Sequence, residues 1–200
     1  AESKDKQYIS ELYYISGPEL YSYSFAGKKS QVVTLIAELS EKPETIFSKD
    51  FFWVYEEDNI IKGAISIFPG IKKPRYQMNI RKYSMELLKI TGLLKSLKIT
   101  MRKELGKWMP KINHDELYIQ SLAVFPDYRR QKIGAALIEH AFNYAKDNNI
   151  NKVSLIVEKQ KEESIKMFKS MGFKISDSLE LESKYNRYNL FGFYKMLIEI

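Results

Sequence analysis

Cysteine is absent from this 200-residue sequence, and histidine occurs only at His114 and His140. The lack of cysteine excludes disulfides, thiolate metal sites and any acyl intermediate held on a cysteine. Two imidazoles are too few for a histidine cluster, so we expect no metal site. Disulfide-stapled and thiol-dependent proteins are thereby excluded as classes.

Long hydrophobic runs are also missing. No apolar run approaches the ~20 residues of a membrane-spanning helix, and no signal peptide is visible, so we expect a cytoplasmic protein without a membrane span. The composition is nevertheless that of a folded chain, because 44% of the residues are hydrophobic and 14% are aromatic. The length suits one domain, which we assign to residues 1–200.

Acidic residues are scarce in one segment of the chain. Between Lys72 and Lys111 the sequence contains 12 Lys or Arg but only Glu86 and Glu104, whereas the net charge of the whole chain is +7. The rest of the chain is therefore slightly acidic. Because the basic character is local, we expect no nucleic-acid partner.

Apolar residues in this basic segment recur in steps of three and four, which predicts a helix or a helix pair over residues 84–109. They are Leu87, Ile90, Leu94, Leu97, Met101, Leu105 and Trp108. We interpret residues 72–113 as a basic helical insert. It is either a helix packed on the domain with solvated lysines, the wall of a cleft that attracts anions, or a membrane-surface helix.

The remaining periodicity predicts alternating helices and strands, and hence an α/β fold with a mixed sheet. Helices are predicted as two short pieces within residues 1–26, and at 31–39, 133–146 and 162–171. Strands are predicted at 51–55, 60–68, 117–124, 152–157, 179–181 and 192–198. Gly63, inside the second of these strands, is a candidate for a bulge.

One stretch organises these elements, because the buried strand at 117–124 leads into the helix at 133–146 through a basic loop. Pro126 ends the strand, since it has no N–H to donate to the sheet. The loop that follows, residues 127–132, stands directly before the start of the helix.

Arg129, Arg130 and Lys132 crowd the beginning of that helix, although helix N-termini favour acidic side chains. An anion held by the free amides would explain the arrangement, and the small residues Gly134 and Ala135 would let it approach the backbone. A solvated basic turn before an ordinary helix is the alternative.

The order of residues from Leu117 to Phe173 resembles that of the GNAT superfamily of acetyl-CoA-dependent N-acetyltransferases. The similarity lies in the segments LAVFPDYRRQKIGAAL, LIV and SIKMFKSMGF. The key motif of the family is an Arg or Gln, two residues, a Gly, one residue, and then Gly or Ala. Arg129 and Gly134 match it, whereas Lys132 stands where the first Gly is usual. This departure concerns the geometry of the loop, because lysine does not take a positive φ cheaply.

The resemblance implies a mixed, mostly antiparallel central sheet with a splayed parallel strand pair, flanked by helices. The strand at 117–124 would carry a bulge and splay from the strand at 152–157, leaving a wedge for a thioester. Residues 1–5 resemble the loop before the first helix of the family, so that the first strand of the family has no counterpart in the sequence.

The resemblance also implies acetyl-CoA (coenzyme A) as the co-substrate, with no metal. The backbone amides that would hold its pyrophosphate are those of Arg129, Arg130, Gln131, Lys132, Ile133, Gly134 and Ala135. Its pantetheine arm would lie beside Leu122, Ala123 and Val124 like an added strand. Lys161 and Phe168 complete the predicted cofactor-binding set, at positions where relatives commonly carry an Asn and a Tyr.

The implied reaction is transfer of the acetyl group to a primary amine, by direct attack in a ternary complex. By strand alternation, Glu116, Tyr118 and Gln120 share one face. Glu116 is our candidate catalytic base. Tyr118 is the second catalytic candidate, because it stands near the position where relatives place a base. Alternatively, Glu116 is a solvated strand end and Tyr118 a core residue.

A second hypothesis is a non-catalytic acyl-CoA-binding module of the same fold. It is suggested by Phe168, which cannot donate a proton to the leaving thiolate where relatives carry a tyrosine. In an active enzyme Tyr118, Tyr185 or Tyr188 could take that role, and the sequence does not choose among them. The acceptor is a small-molecule or peptide amine that the sequence does not identify further, and a homodimer is left open.

Overall fold

The computed structural model describes residues 1–79, 83–102, 105–106 and 109–200, with the backbone alone described at 78–79 and 84–87. Trp108, which the apolar pattern assigned to the insert, lies outside the described residues, and so does the side chain of Leu87.

The N-terminal part of the chain is helical. It contains α1 (Lys6–Ser16), α2 (Pro18–Ser24) and α3 (Lys29–Ser40). Pro18 is the first residue of α2, where a backbone N–H would have no partner within the helix, so the lack of an N–H in proline costs nothing. The two short helices predicted within residues 1–26, and the helix predicted at 31–39, are confirmed.

The described strands form a single sheet. They are β1 (Phe52–Glu57), β2 (Ile60–Pro69), β3 (Glu116–Val124), β4 (Lys152–Glu158), β5 (Lys174–Glu180) and β6 (Gly192–Glu199). Their order in the sheet is β1-β2-β3-β4-β6-β5. Neighbouring strands are antiparallel except β3 and β4, which are parallel. The mixed, mostly antiparallel sheet that the resemblance implied is therefore confirmed.

Two details of the sheet differ from the prediction. The strand predicted at 179–181 is β5, which already begins at Lys174. It is an edge strand with mostly exposed side chains, so it lacks the apolar run by which a strand is recognised in sequence. The bulge expected at Gly63 falls one residue earlier, at Lys62 in the pairing of β1 with β2.

Helices cover both faces of the sheet. On one face lie α7 (Ile133–Asp147) and α8 (Glu162–Ser170). The core on this side includes Ile65, Ile67, Ile119, Leu137, Ile138 and Phe168. On the other face α1 and α3 pack against the sheet, with a core that includes Ile9, Leu12, Leu35, Ile36, Phe52 and Ala64. Ala64 and Ile65 thus point to opposite faces, as the pleat of a strand requires.

The insert forms α4 (Lys73–Asn79), α5 (Ser84–Thr91) and α6 (Leu93–Arg102). Gly92 separates the last two helices with a φ of 76°, a left-handed conformation that favours glycine. The sequence prediction of a helix or a helix pair in this region is confirmed as a pair.

Candidate active site

β3 and β4 pair over only four residues each, Glu116–Ile119 and Lys152–Leu155. Gln120 follows, and because the register with β2 shifts at this residue it forms a β-bulge. Beyond Gln120, β3 remains paired with β2, and β4 remains paired with β6. β3 and β4 are no longer hydrogen-bonded to each other there. The bulged strand and the splayed parallel pair implied by the resemblance are both present.

A cavity of about 900 Å³ opens between the diverging strands and extends beneath the N-terminal helices and the insert. β3 contributes residues 118–122 to its lining and β4 contributes residues 155–158. Apolar groups dominate the wall, and the charged members are Lys73, Arg102, Lys111, Glu158 and Lys161. Within the described chain, Glu158 is the one carboxylate of the lining. The volume is that of a small-molecule site.

The loop between β3 and α7 contains two non-glycine residues in the left-handed region. The φ of Arg130 is 63° and that of Lys132 is 61°. Each costs roughly 1–2 kcal/mol relative to right-handed backbone. The positive φ that is expensive for lysine is thus adopted by Lys132, and strain of this kind concentrates at binding sites.

The backbone N–H groups from Arg130 to Ala135 have no acceptor among the residues that the structure describes. Half of them belong to the loop and half to the first turn of α7, where N–H groups have no partner within the helix. Arg129 differs, because its amide donates to the carbonyl of Pro126 at 3.2 Å. A Cβ placed on Gly134 would have Met167 Sδ as its nearest neighbour, at 3.9 Å, so the approach to the amides is open. Such a row of donors is suited to an anion.

Leu122, Ala123 and Val124 lie on β3 beyond the bulge, where the edge facing β4 has no strand partner. Leu122 lines the cavity, and Ala123 is buried. The carbonyl of Val124 accepts a hydrogen bond from Arg129 Nε at 3.4 Å. Backbone groups on this edge are therefore available to an extended ligand.

Lys161 and Phe168 both line the cavity. Lys161 Nζ donates to the carbonyl of Ser16 at 2.6 Å, and Ser121 Oγ on β3 donates to Ser16 Oγ at 3.0 Å. The turn between α1 and α2 thus joins both sides of the wedge. Phe168 is buried beside Phe173, with ring centroids 5.8 Å apart, and offers no proton.

Glu116, the predicted base, lies at the paired end of the wedge with 0% of its surface exposed. It accepts hydrogen bonds from Lys195 Nζ at 2.6 Å, Asn113 Nδ2 at 2.6 Å and Ser154 Oγ at 2.7 Å. It is absent from the lining of the cavity. The alternative of a solvated strand end is wrong, because the carboxylate is enclosed by protein donors. Those donors, together with its absence from the cavity lining, leave Glu116 poorly placed to take a proton from an amine.

Tyr118 lines the cavity, and burial raises the pKa of its phenol far above the usual range. The hydroxyl therefore remains protonated and can donate a hydrogen bond. Lys73 Nζ lies 4.4 Å from the centre of its ring. Tyr185 and Tyr188, the other candidate acids, are absent from the cavity lining.

Lys73 is a half-buried cation of the cavity wall. Burial, with a further contribution from the nearby charge of Lys195, lowers its pKa to about 8. In the described part of the chain no carboxylate lies within ion-pair distance of it, and Glu116 acts on it only through space. An anionic ligand group is therefore the natural partner for this ammonium.

Glu158 is the functional candidate that the sequence prediction missed. It ends β4 at the open end of the wedge and is 4% exposed. Its Oε2 accepts from Gln160 Nε2 at 3.1 Å and lies 3.5 Å from Lys161 Nζ, whereas Oε1 has no hydrogen-bond partner in the described chain. Burial raises its pKa to about 7 against the pull of Lys161. A carboxylate with a free oxygen and a pKa near neutrality is suited to accept a proton.

A weak signal for Glu158 does exist in the sequence. It is an acidic residue directly after the apolar run predicted as the strand 152–157. Sites in α/β sheets form beyond the carboxyl ends of parallel strands, which is where this residue stands.

The described residues contain neither a metal-ligand cluster nor a membrane-spanning helix. None of their His, Cys, Asp and Glu side chains form a group of three or more that could hold a metal ion. No helix in the same part of the chain has both the length and the apolar character to cross a membrane.

Sequence comparisons agree with this geometry. The model of the acetyltransferase (GNAT) family matches residues 28–173. Over 69 residues the chain is 38% identical to "Probable N-acetyltransferase san" of Drosophila melanogaster, a match that covers 34% of this chain and 38% of that protein. The match thus spans well under half of the length of this curated relative.

Solved structures share the whole fold. An N-acetyltransferase from Staphylococcus aureus Mu50 superposes with a TM-score of 0.69 at 23% identity, covering 99% of this chain and 97% of the other. The PaiA N-acetyltransferase of Thermoplasma acidophilum, in complex with coenzyme A, gives a TM-score of 0.54 at 14% identity, covering 100% and 96%. At these identities the likeness concerns the fold. Because the family model matches more than half of this chain, the chain belongs to the acetyltransferase (GNAT) family.

Proposed function

We propose that this protein transfers an acetyl group from acetyl-CoA to a primary amine, by direct attack of the amine on the thioester in a ternary complex. The observation that carries the proposal is the row of unpartnered amides from Arg130 to Ala135 beside a wedge that holds the buried carboxylate of Glu158. An anion site and a proton acceptor thus flank one cleft. We assign this activity to a single domain, residues 1–200, with 72–113 as its basic insert.

The amides from Arg130 to Ala135 would hold the pyrophosphate of acetyl-CoA, which supplies the acetyl group as a thioester. The exposed side chains of Arg129, Arg130 and Lys132 surround the loop and add positive charge. Met167 of α8 stands next to Gly134, and Ser164 and Phe168 of the same helix line the cavity, so α8 connects the loop with the wedge.

The free edge of β3 at 122–124 would bind the pantetheine arm like an added strand. This edge runs from the loop toward the bulge at Gln120, where the wedge begins. Lys161 would complete this half of the site from the start of α8, where its ammonium already bridges to Ser16. The reacting carbonyl would then lie within the wedge.

Glu158, in place of Glu116, is the general base of this proposal. A primary amine with a pKa of ~10 is protonated at neutral pH and must lose a proton before it can attack. Glu158 has a free oxygen in the cavity wall and a pKa near 7, whereas Glu116 is surrounded by three donors outside the cavity. Geometry and protonation therefore both favour the later glutamate.

Tyr118 is the proposed hydrogen-bond donor at the reacting centre. Its phenol is kept neutral by burial and lies on the cavity wall one residue before the strands diverge. A thiol with a pKa of ~8.5 is a tolerable leaving group near neutral pH. A neutral phenol that stabilises the departing sulfur by a hydrogen bond would compensate in part for the tyrosine that Phe168 replaces.

The acceptor that fits the cavity best is an amine with an apolar body and an anionic group. Apolar side chains such as Phe25, Phe47 and Ile99 supply most of the wall. Lys73 would hold the anionic group, because it is a desolvated ammonium without a carboxylate partner in the described chain. Small-molecule and peptide amines both include members of this class.

A non-catalytic acyl-CoA-binding module remains the second candidate, favoured by the buried ring of Phe168 at the cavity wall. Steady-state kinetics with acetyl-CoA and a panel of primary amines separates the two. The proposal predicts release of free thiol with intersecting double-reciprocal lines, as a ternary complex requires. Parallel lines would contradict direct attack, and saturable acetyl-CoA binding without any turnover would favour the binding module.

The coenzyme A half of the site can be tested by thermal unfolding. Acetyl-CoA at 100 times its dissociation constant should stabilise the protein by about 2.7 kcal/mol, which is roughly 5–10 °C for a domain of this size. Gly134→Glu should abolish the shift by placing a negative charge before the amides, whereas Gly134→Ala, with room for its methyl group, should keep it. A normal shift in Gly134→Glu would show that the phosphates bind elsewhere.

A further inference from the structure

The outer face of the insert is apolar. The residues concerned, with their exposed fractions, are Ile90 (47%), Leu93 (73%), Leu94 (78%), Leu97 (57%) and Met101 (68%). Leu94, Leu97 and Met101 are separated by steps of three and four within α6, so they lie along one side of that helix. Together with Ile90 and Leu93, which stand on either side of the break at Gly92, they make up the exposed apolar stripe of α5 and α6. Of the alternatives left open for this segment, a helix packed on the domain would bury these side chains, whereas the structure leaves them exposed.

Polar contacts fix the helix pair in this orientation. Lys95 Nζ donates to Gln31 Oε1 at 3.2 Å, and Arg102 donates to the carbonyl of Tyr23 at 2.7 Å. The guanidinium of Arg102 also lies 4.6 Å from the ring centre of Tyr23. Because the polar side of α6 is the side held by the body of the protein, the stripe cannot turn inward without breaking these contacts.

The charge of the segment limits what can cover the stripe. Residues 72–111 carry 12 basic and two acidic side chains, and Lys89 and Lys98 are exposed on the same two helices as the stripe. A second copy would bring two such segments face to face, which like-charge repulsion opposes. An anionic bilayer surface satisfies both properties, since it accepts apolar side chains in its interface and attracts lysine at its phosphates.

We propose that α5 and α6 dock on the surface of an anionic membrane, with the stripe in the headgroup boundary and the flanking lysines at the lipid phosphates. The helices lie on the bilayer and do not cross it. Ser96, Ile99 and Thr100 of α6 line the cavity, so docking places the lipid surface on the outer side of the helix that forms one cavity wall. The proposal is independent of the acetyl-transfer chemistry.

Vesicle flotation tests the docking directly. The intact protein should float with vesicles of phosphatidylcholine and phosphatidylglycerol in equal parts, and far less with phosphatidylcholine alone. Leu94→Gln/Leu97→Gln should weaken partitioning by about 30-fold, since each leucine loses part of its transfer into the interface. Ile60→Gln/Ile175→Gln removes two exposed isoleucines elsewhere, 46% and 40% exposed, and should leave partitioning unchanged.

Charge reversal supplies a second, independent variant. Lys89→Glu/Lys98→Glu should lower partitioning by at least about 30-fold, because each lysine near an anionic surface contributes about fivefold. Lys146→Glu/Lys174→Glu, at exposed positions outside the insert, is the matched control. All four variants alter exposed side chains and should have the same melting temperature as the wild type.

Several outcomes would overturn the proposal. These are failure of the wild type to float with anionic vesicles, equal flotation with phosphatidylcholine alone, and full flotation of the leucine variant. A dimer detected by light scattering that dissociates in Leu94→Gln/Leu97→Gln would assign the stripe to self-association instead.

Discussion

Two buried glutamates stand at opposite ends of the wedge and differ in what surrounds them. Glu116, at the paired end, is 0% exposed and accepts three hydrogen bonds, one of them from Lys195. Glu158, at the open end, is 4% exposed and has one oxygen without a partner in the described chain. Their burial is nearly equal, so burial does not distinguish the satisfied carboxylate from the one that we propose as the base. The two carboxylates differ instead in the number of hydrogen-bond donors that surround them.

The same contrast holds for two lysines. Lys195 is 4% exposed and is neutralised by Glu116 at 2.6 Å. Lys73 lines the cavity beside the ring of Tyr118, and burial lowers its pKa to about 8. In each pair the protein satisfies the group at the paired end of the wedge, and we propose that the group in the cavity wall acts on a ligand.

The largest effect is expected at the satisfied glutamate. Glu116→Gln leaves the Lys195 ammonium buried without a counter-charge, which should lower the free energy of unfolding by about 3–5 kcal/mol. Urea unfolding at neutral pH measures this. The neighbouring Asp115→Asn removes the exposed pair with Lys152 and should leave the unfolding midpoint nearly unchanged. Equal midpoints for the two variants would mean that the buried ion pair contributes nothing.

Glu158→Gln should impair catalysis, whereas Glu116→Gln should impair stability. We expect kcat/KM to fall by about 10²-fold, the usual contribution of a general base. The affinity for acetyl-CoA should be retained, as should the activity of Glu163→Gln, an exposed control on α8. A rate loss that is no greater in Glu158→Gln than in this control would remove Glu158 from the chemistry.

The stability of Glu158→Gln sharpens the comparison further. The pKa of Glu158 lies above its ordinary value, so the native state binds the proton more tightly than the unfolded state. Wild-type stability from this group is therefore present below about pH 4.5 and is lost as the pH rises toward 7. At pH 8 the glutamine variant should unfold at a higher urea concentration than the wild type. A lower urea midpoint at that pH would indicate that the ionised carboxylate is stabilised by the fold.

The smallest effect is expected at Lys73. Lys73→Met should raise the KM of an amine that carries a carboxylate by about tenfold, the loss of one charge-assisted contact, with kcat little changed. A neutral amine should be unaffected, and Lys72→Met, at an exposed position, is the control. Because the pKa of Lys73 is about 8, the preference for the anionic amine should fade as the pH rises through that value. Identical preferences in Lys73→Met and the wild type would place the anionic group elsewhere.

Much of the fold could be predicted from sequence because it depends on local pattern. The apolar run of β3, Pro126, and the periodic face of α7 predict a strand, its end and a helix without reference to the rest of the chain. β5 was recognised only in part, because an edge strand with exposed side chains has little apolar pattern to recognise.

The half of the site that we propose for coenzyme A was predicted from the basic residues at the start of α7 and from the family motif. The acceptor half could not be predicted in the same way. Whether a glutamate is free or satisfied depends on residues far away in sequence, such as Lys195, 79 positions beyond Glu116. Glu158 is likewise shaped by the turn at Ser16, which Lys161 reaches across 145 positions.

The pH dependence of kcat/KM, measured for the wild type and Glu158→Gln with the same amine, tests the central claim most directly. The account predicts that wild-type kcat/KM rises with pH and levels off above a pH of about 7, as Glu158 loses its proton. In Glu158→Gln that limb should be gone, leaving only the rise that follows the amine itself. A wild-type limb near pH 7 that persists unchanged in Glu158→Gln would contradict the assignment of the base.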